Sequence, residues 1–77
     1  MKTQKFSCGT ILKLTKVIDT KSDYTTTHFF TVIFDDGETD DIGININNYN
    51  NLAKWLEGNC DIEGTDENIE LFKNLLK

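Results

Sequence analysis

Apolar positions recur with a two-residue period through much of the first 46 residues, which predicts antiparallel β-strands. Residues 8–18 alternate, residues 28–34 (HFFTVIF) are apolar on both faces as in a central strand, and residues 39–46 alternate again. A polar loop at residues 19–27 and an Asp-Gly turn connect these runs. The sequence therefore predicts a three-stranded meander, with residues 2–7 as a candidate fourth strand.

The same alternation assigns side chains to the two faces of the predicted sheet. Inward positions are predicted at Leu12, Leu14, Ile18, Phe30, Val32, Phe34, Ile42, Ile44 and Ile46. Outward positions are predicted at Lys13, Thr15, Val17, Asp41, Gly43 and Asn45. We expect the inward set to form one side of the hydrophobic core.

Further along the chain the apolar period becomes that of amphipathic helices. A first helix is predicted over about residues 48–57, with an asparagine of residues 47–48 as its cap and Gly58 as its stop. A second is predicted over about residues 66–76, with Thr65 as its cap. The fold class is therefore α+β, a single domain with a small antiparallel sheet of three or four strands followed by two short helices.

A Gly-Thr-Ile strand start at residues 9–11 precedes an aromatic strand that ends in an acidic Asp-Gly turn, HFFTVIFDDGETDDI (residues 28–42). In this pattern the stretch from residue 9 to residue 46 resembles SH3-like and Tudor-like β-barrel domains. The resemblance implies a partly open barrel that binds peptide tails or nucleic acid, in some members by gripping a methylated lysine or arginine in an aromatic cage. The two C-terminal helices depart from that pattern.

Charge is distributed unevenly along the chain, whose net charge is −5. Residues 1–34 carry five lysines and two aspartates (+3), whereas residues 35–77 carry three lysines and eleven acids (−8). The chain has no arginine, the side chain best suited to bidentate contact with phosphate. The C-terminal part is therefore expected to repel nucleic acid and anionic membranes and to attract cationic surfaces.

The densest run of acids is the predicted hairpin turn DDGETDD, residues 35–41. Its five carboxylates belong to Asp35, Asp36, Glu38, Asp40 and Asp41. One interpretation is a solvated turn that aids solubility, and the other is a docking surface that imitates a phosphate backbone. The spacing differs from that of an EF-hand loop, so no metal site is predicted.

Three aromatic residues are candidates for partner contacts. Tyr24, Phe29 and Trp55 could form a cage that attracts a quaternary ammonium group, with the acidic turn nearby. The alternative is that these side chains belong to the core or its rim.

Cys8 and His28 are the only candidates for a nucleophile and its base. No orienting third group and no phosphate-binding glycine loop accompany them, and two distant cysteines with one histidine lack zinc-site spacing. We therefore predict no catalysis and no cofactor. The two cysteines, and an N-terminus (MKTQKF) without the apolar run of a signal peptide, favour a cytoplasmic protein with reduced thiols.

These observations favour a small acidic inhibitor or adaptor that docks on a basic protein surface, such as that of a nuclease or another nucleic-acid-handling host factor. The many Asn, Lys, Ile and Asp residues, without arginine, are typical of AT-rich coding sequences and favour a phage or mobile-element origin. The alternatives are a Tudor- or SH3-like reader of peptide tails, an assembly subunit, or a nucleic-acid-binding β module. The last would use Lys5, Lys13, Lys16 and Lys21, although the net charge argues against direct nucleic-acid contact.

Overall fold

The computed structural model describes residues 2–20, 25–45 and 51–77, and the fold is stated for those residues. Its elements are β1 (Thr3–Lys5), β2 (Ile11–Thr20), β3 (Thr25–Ile33), β4 (Thr39–Asn45), α1 (Leu52–Cys60) and α2 (Asp66–Leu75). The strands pair antiparallel in the order β1-β2-β3-β4. The α+β class and the fourth strand are confirmed, whereas the sheet is open and the SH3-like barrel is not confirmed.

β3 is an inner strand, as its apolar character predicts. Register pairs Leu12 with Val32 and Phe30 with Ile42, so these side chains share one face of the sheet. That face meets the helices in a single core, whose buried apolar members are Phe6, Leu12, Phe30, Val32, Ile44, Leu52, Leu56, Cys60, Ile62, Phe72 and Leu75. Phe34 packs against this core partly buried. We call this side of the sheet the inner face and the opposite side the outer face.

Because of a β-bulge at Thr15, the predicted assignment of side chains to the two faces of the sheet is wrong for the second half of β2. The register shifts between Leu14, which pairs with Phe30, and Lys16, which pairs with Phe29. One extra residue exchanges the two faces for the remainder of the strand. Val17 therefore turns to the inner face and Ile18 to the outer face, the reverse of the prediction, and both are exposed, by 48% and 39%.

The predicted loop between β2 and β3 is too long. Residues 19–20 and 25–27 pair as strand, because β-branched threonines suit an extended backbone despite their polarity. Three sequence predictions concern residues outside the described ranges: Tyr24 in the aromatic cage, Ile46 as an inward position, and the asparagine caps of the first helix.

α1 ends later than predicted, since it passes through Gly58 to Cys60. Leu52, Leu56 and Cys60 form a buried stripe at four-residue spacing, which keeps the chain helical beyond the glycine. Asp61 then takes the left-handed conformation (φ 53°, ψ 30°), and its N–H donates to the Leu56 carbonyl.

α2 begins at the predicted cap. The Thr65 hydroxyl accepts a hydrogen bond from the backbone N–H of Asn68 at 3.2 Å. The Asn68 side chain is buried and donates to the carbonyl of Glu63 at 2.9 Å. This amide ties the loop before α2 to its first turn, a contact that the apolar pattern did not indicate.

Candidate functional site

The acidic turn between β3 and β4 is closed by the backbone and by one of its own carboxylates. The N–H of Phe34 donates to the Glu38 carbonyl at 2.8 Å, and the N–H of Gly37 donates to the Phe34 carbonyl at 3.0 Å. Gly37 has a φ of 89°, which few other residues adopt easily. Oδ1 of Asp36 accepts from the Glu38 N–H at 2.9 Å. Asp35, Asp36 and Glu38 are thus exposed on a turn of defined conformation.

A second turn, between β1 and β2, lies against the first. A β-carbon built on Gly9 would come within 3.0 Å of Cβ of Asp35, so the two backbones approach closely there. Cys8, the residue before Gly9, is exposed. The sheet therefore has one end at which two turns meet, with the carboxylates of the β3–β4 turn on it.

The last two acids of the turn point to different sides. Asp40 pairs in register with Val32 and Asp41 with Thr31, so Asp40 lies on the inner face and Asp41 on the outer face. Asp41 accepts a hydrogen bond from Oγ1 of Thr31 at 2.9 Å. Asp40 accepts from the N–H of Asp41 at 2.9 Å. We define the acidic end as Asp35, Asp36, Glu38 and Asp40, all exposed, and assign Asp41 to the outer face.

Cys60, the last residue of α1, is buried in the core. Burial, with smaller contributions in the same direction from Asp61 and Cys8, raises the pKa of the Cys60 thiol to about 12.

None of the carboxylates of the acidic end forms an ion pair with a lysine of the described residues. Within residues 2–20, 25–45 and 51–77, no lysine forms an ion pair with an aspartate or glutamate. Within those ranges the carboxylates of the acidic end are therefore available to an external cationic partner.

The predicted aromatic cage is not assembled. Phe29 is on the outer face, 36% exposed, because neighbouring residues of a strand point to opposite sides and Phe30 points into the core. Trp55 lies against that core, with its ring centroid 6.4 Å from Phe30 and 5.3 Å from Phe72. The sheet thus stands between Phe29 and Trp55, and the interpretation of Trp55 as core rim is the better one.

Lysines and Phe29 come together on the outer face instead. Register places Lys5 beside Ile11, Lys13 beside Thr31 and Lys16 beside Phe29. The strict two-residue period predicts Lys13 and Lys16 on opposite faces, and the bulge at Thr15 brings them to the same one. Nothing in the apolar pattern indicates that bulge, so this grouping could not be found from sequence alone.

Cys8 and His28 are far apart. Cys8 is in the β1–β2 turn, and the β3 residue nearest to that turn in the register is Ile33, which pairs with Ile11. His28 is five residues away from Ile33 along β3, which corresponds to about 17 Å of strand. His28 is buried on the inner face between Val17 and Ile44. Its Nδ1 has no hydrogen-bond partner among the described residues, and burial lowers the pKa of the imidazole below 6.5. The pair considered from sequence is not formed.

The burial of His28 predicts a dependence of stability on pH. Because the folded pKa lies below the unfolded value of 6.5, the unfolded chain takes up a proton first as pH falls. The free energy of unfolding should be highest above about pH 7.5 and fall as pH drops through 6.5, by at most about 1.4 kcal/mol per pH unit. Urea unfolding between about pH 7.5 and 5.5, where most carboxylates stay ionised, measures this slope.

The matched variant is His28→Leu, which removes the one histidine of the chain and suits the apolar neighbours. Its unfolding free energy should be nearly flat over the same range. A variant that kept the wild-type slope would assign the pH dependence to another group.

Neither a metal-binding cluster nor a membrane-spanning helix occurs among the described residues. They contain no group of three or more His, Cys, Asp or Glu side chains placed to hold a metal ion. None of their helices has the length and hydropathy to cross a membrane. Comparison of the chain with protein-family models, with curated proteins and with solved structures finds no match.

Proposed function

We propose that this chain is a non-enzymatic binding protein, an inhibitor or adaptor whose acidic end docks on a basic surface of another protein. The observation that carries the proposal is the acidic end itself. Asp35, Asp36 and Glu38 stand exposed on a hydrogen-bonded turn that abuts a second turn, and no lysine neutralises them within the described part of the chain.

A defined turn is a better docking surface than a mobile acidic tail. The hydrogen bond from Glu38 N–H to Asp36 and the contact of Gly9 with Asp35 restrict the backbone before any partner arrives. Less conformational entropy is then lost on binding. The unpaired charges also speed the approach of a cationic partner and make association sensitive to salt.

The proposed partner is a protein that handles nucleic acid, such as a nuclease. Its binding groove is basic because it must contact phosphates, and closely spaced carboxylates on a rigid turn can occupy the same positions. A cytoplasmic protein of a phage or mobile element that acts on such a host factor fits this chemistry and the AT-rich character of the sequence.

Charge reversal at the acidic end tests the proposal. Asp35→Lys combined with Glu38→Lys should weaken binding to the captured partner by about 100-fold or more, because like charges then face each other. The side chains of both residues lie outside the hydrogen bonds that close the turn. Immobilised protein captures partners from an extract, and titration of each purified partner gives its affinity.

The matched control is Asp19→Lys combined with Glu70→Lys, which changes net charge equally. Asp19 is near the end of β2 remote from the acidic turn, and Glu70 is exposed on α2. This variant should retain the partner, and added nucleic acid should release that partner from the wild type. The proposal would be contradicted if both variants lost the same affinity for the partner, or if nucleic acid did not displace the captured partner from the wild type.

A further inference from the structure

The outer face of the sheet is not covered by the two helices. The buried residues of β2, β3 and β4 that pack with them, such as Leu12, Phe30 and Ile44, all point to the inner face. On the outer face Phe29 is 36% exposed and Ile18 39%. Large apolar side chains on an open sheet face are typical of a binding surface.

This face is locally basic although the protein is acidic. Among the described residues of the strands, Lys5, Lys13 and Lys16 lie on it, against one acid, Asp41, so the local charge is three minus one, or +2. Asp41 is hydrogen-bonded to Thr31 beside it. The charge of the face is therefore complementary to an anion.

Phe29 is held against the sheet. A β-carbon at Gly43, the residue opposite on β4, would lie 3.2 Å from both Cδ1 and Cε1 of the Phe29 ring. The ring therefore leans over the glycine, in space that any other residue would fill. On the other side the hydroxyl of Thr15, the bulge residue, donates to the Phe29 carbonyl at 3.1 Å. The side chain is thus an exposed aromatic with a restricted position.

We propose that the outer face binds single-stranded nucleic acid, with a base stacked on Phe29 and phosphates near Lys13 and Lys16. An aromatic ring flanked by cations on an open face is the arrangement by which proteins bind single strands without reading sequence. Lys16 is the direct cross-strand neighbour of Phe29, and Lys13 is the neighbour of Thr31, two residues along β3. A duplex does not offer an unstacked base to Phe29, so the single strand is the preferred form.

This activity uses a different surface from the acidic end. Asp35, Asp36 and Glu38 lie in the turn beyond Ile33 and Thr39, the last pair between β3 and β4. Asp40 lies on the inner face of the sheet. A bound strand is therefore limited to a few nucleotides along the lysine-bearing strands, because repulsion increases toward the acidic turn.

Salt dependence gives the first test, measured by fluorescence anisotropy of a labelled oligothymidylate at increasing salt. With Lys13 and Lys16 in contact with phosphates, the logarithm of the binding constant should fall against the logarithm of salt concentration with a slope of about −1.4. Lys13→Gln and Lys16→Gln should each reduce the slope by about 0.7. Lys54→Gln, which makes the same charge change on α1, should leave it unchanged.

Replacement of Phe29 gives the second test. Phe29→Ala and Phe29→Leu should both weaken binding by about tenfold, because stacking is lost in each, whereas Phe29→Trp should retain it. Thermal melting of each variant shows whether it is folded. A duplex of the same length should bind more weakly than the single strand.

Several outcomes would overturn the inference. The inference would be wrong if the anisotropy of the oligothymidylate did not change at low salt. It would also be wrong if Lys54→Gln weakened binding as much as Lys16→Gln. Binding of polyglutamate with the same slope, together with indifference to Phe29→Ala, would identify a general polyanion surface instead of a nucleic-acid site.

Discussion

Phe72→Ala should lower the free energy of unfolding by about 3–5 kcal/mol. Phe72 is fully buried on α2, and its ring lies 5.4 Å from Phe30 of β3 and 5.3 Å from Trp55 of α1. Truncation removes these contacts and leaves a cavity where both helices meet the sheet. A domain of 77 residues has only about 4–12 kcal/mol of total stability, so much of the variant should be unfolded at 37 °C.

Urea unfolding followed by the fluorescence of Trp55, the one tryptophan, measures this loss directly. Phe29→Ala is the matched control, since it removes the same side chain from the exposed outer face. We expect that control to cost less than about 1 kcal/mol. Equal losses at the two positions would show that the packing described around Phe72 does not stabilise the domain.

Gly64→Ala should destabilise the protein by about 1–3 kcal/mol, although it adds only a methyl group. A β-carbon at Gly64 would come within 2.6 Å of Cβ and 2.9 Å of Cα of Ala53 on α1. The Gly64 N–H also donates to Oε1 of Glu57 at 3.1 Å, so a shift that relieves the clash weakens this bond. Backbone in α1 cannot move away as a flexible side chain can.

Gly58→Ala provides the opposite control for this substitution. Gly58 is an exposed residue within α1, and a β-carbon there meets nothing within 4 Å. We expect a gain of about 0.5–1 kcal/mol from helix propensity. Urea midpoints should therefore move in opposite directions for the two glycine variants. A tolerated Gly64→Ala would show that the loop before α2 does not pack closely against Ala53 of α1.

The general architecture could be predicted because local and tertiary preferences agree. The apolar stretch around Phe30 and Val32 occupies an inner strand, and the polar loop and Asp-Gly turn separate strands that pair antiparallel. Thr65 caps α2 as expected, since the cap is a local hydrogen bond between residues three apart. Features of this kind depend on few neighbours and can be inferred from spacing.

Boundaries set by tertiary packing could not be predicted in the same way. Gly58 is a strong local stop, yet α1 continues to Cys60 because the burial of Cys60 and then Ile62 favours two more helical residues. Asp61 accepts a left-handed backbone to end the helix. The gain from burying Cys60 and Ile62 is larger than the helix-ending tendency of Gly58, and this can be seen only once the packing of the core is known.

The candidate site was predicted in part. The run of acids in residues 35–41 places Asp35, Asp36 and Glu38 on one turn because adjacency in sequence guarantees adjacency in space. The aromatic cage required residues from a strand and a helix to meet on one side of the sheet, and alternation puts Phe29 and Trp55 on opposite sides. Long-range grouping of this kind depends on which face each helix covers.

The extra residue at Thr15 also bears on how related chains should be compared. Lys13 and Lys16 are separated by an odd number of positions, and only the bulge lets them share a face. A homologue that lacks the bulge needs an even separation to display the same two cations. The presence of the bulge and the spacing of the lysines should therefore change together during evolution. An alignment that scores each lysine position separately would miss a pair of cations that is still present on the outer face.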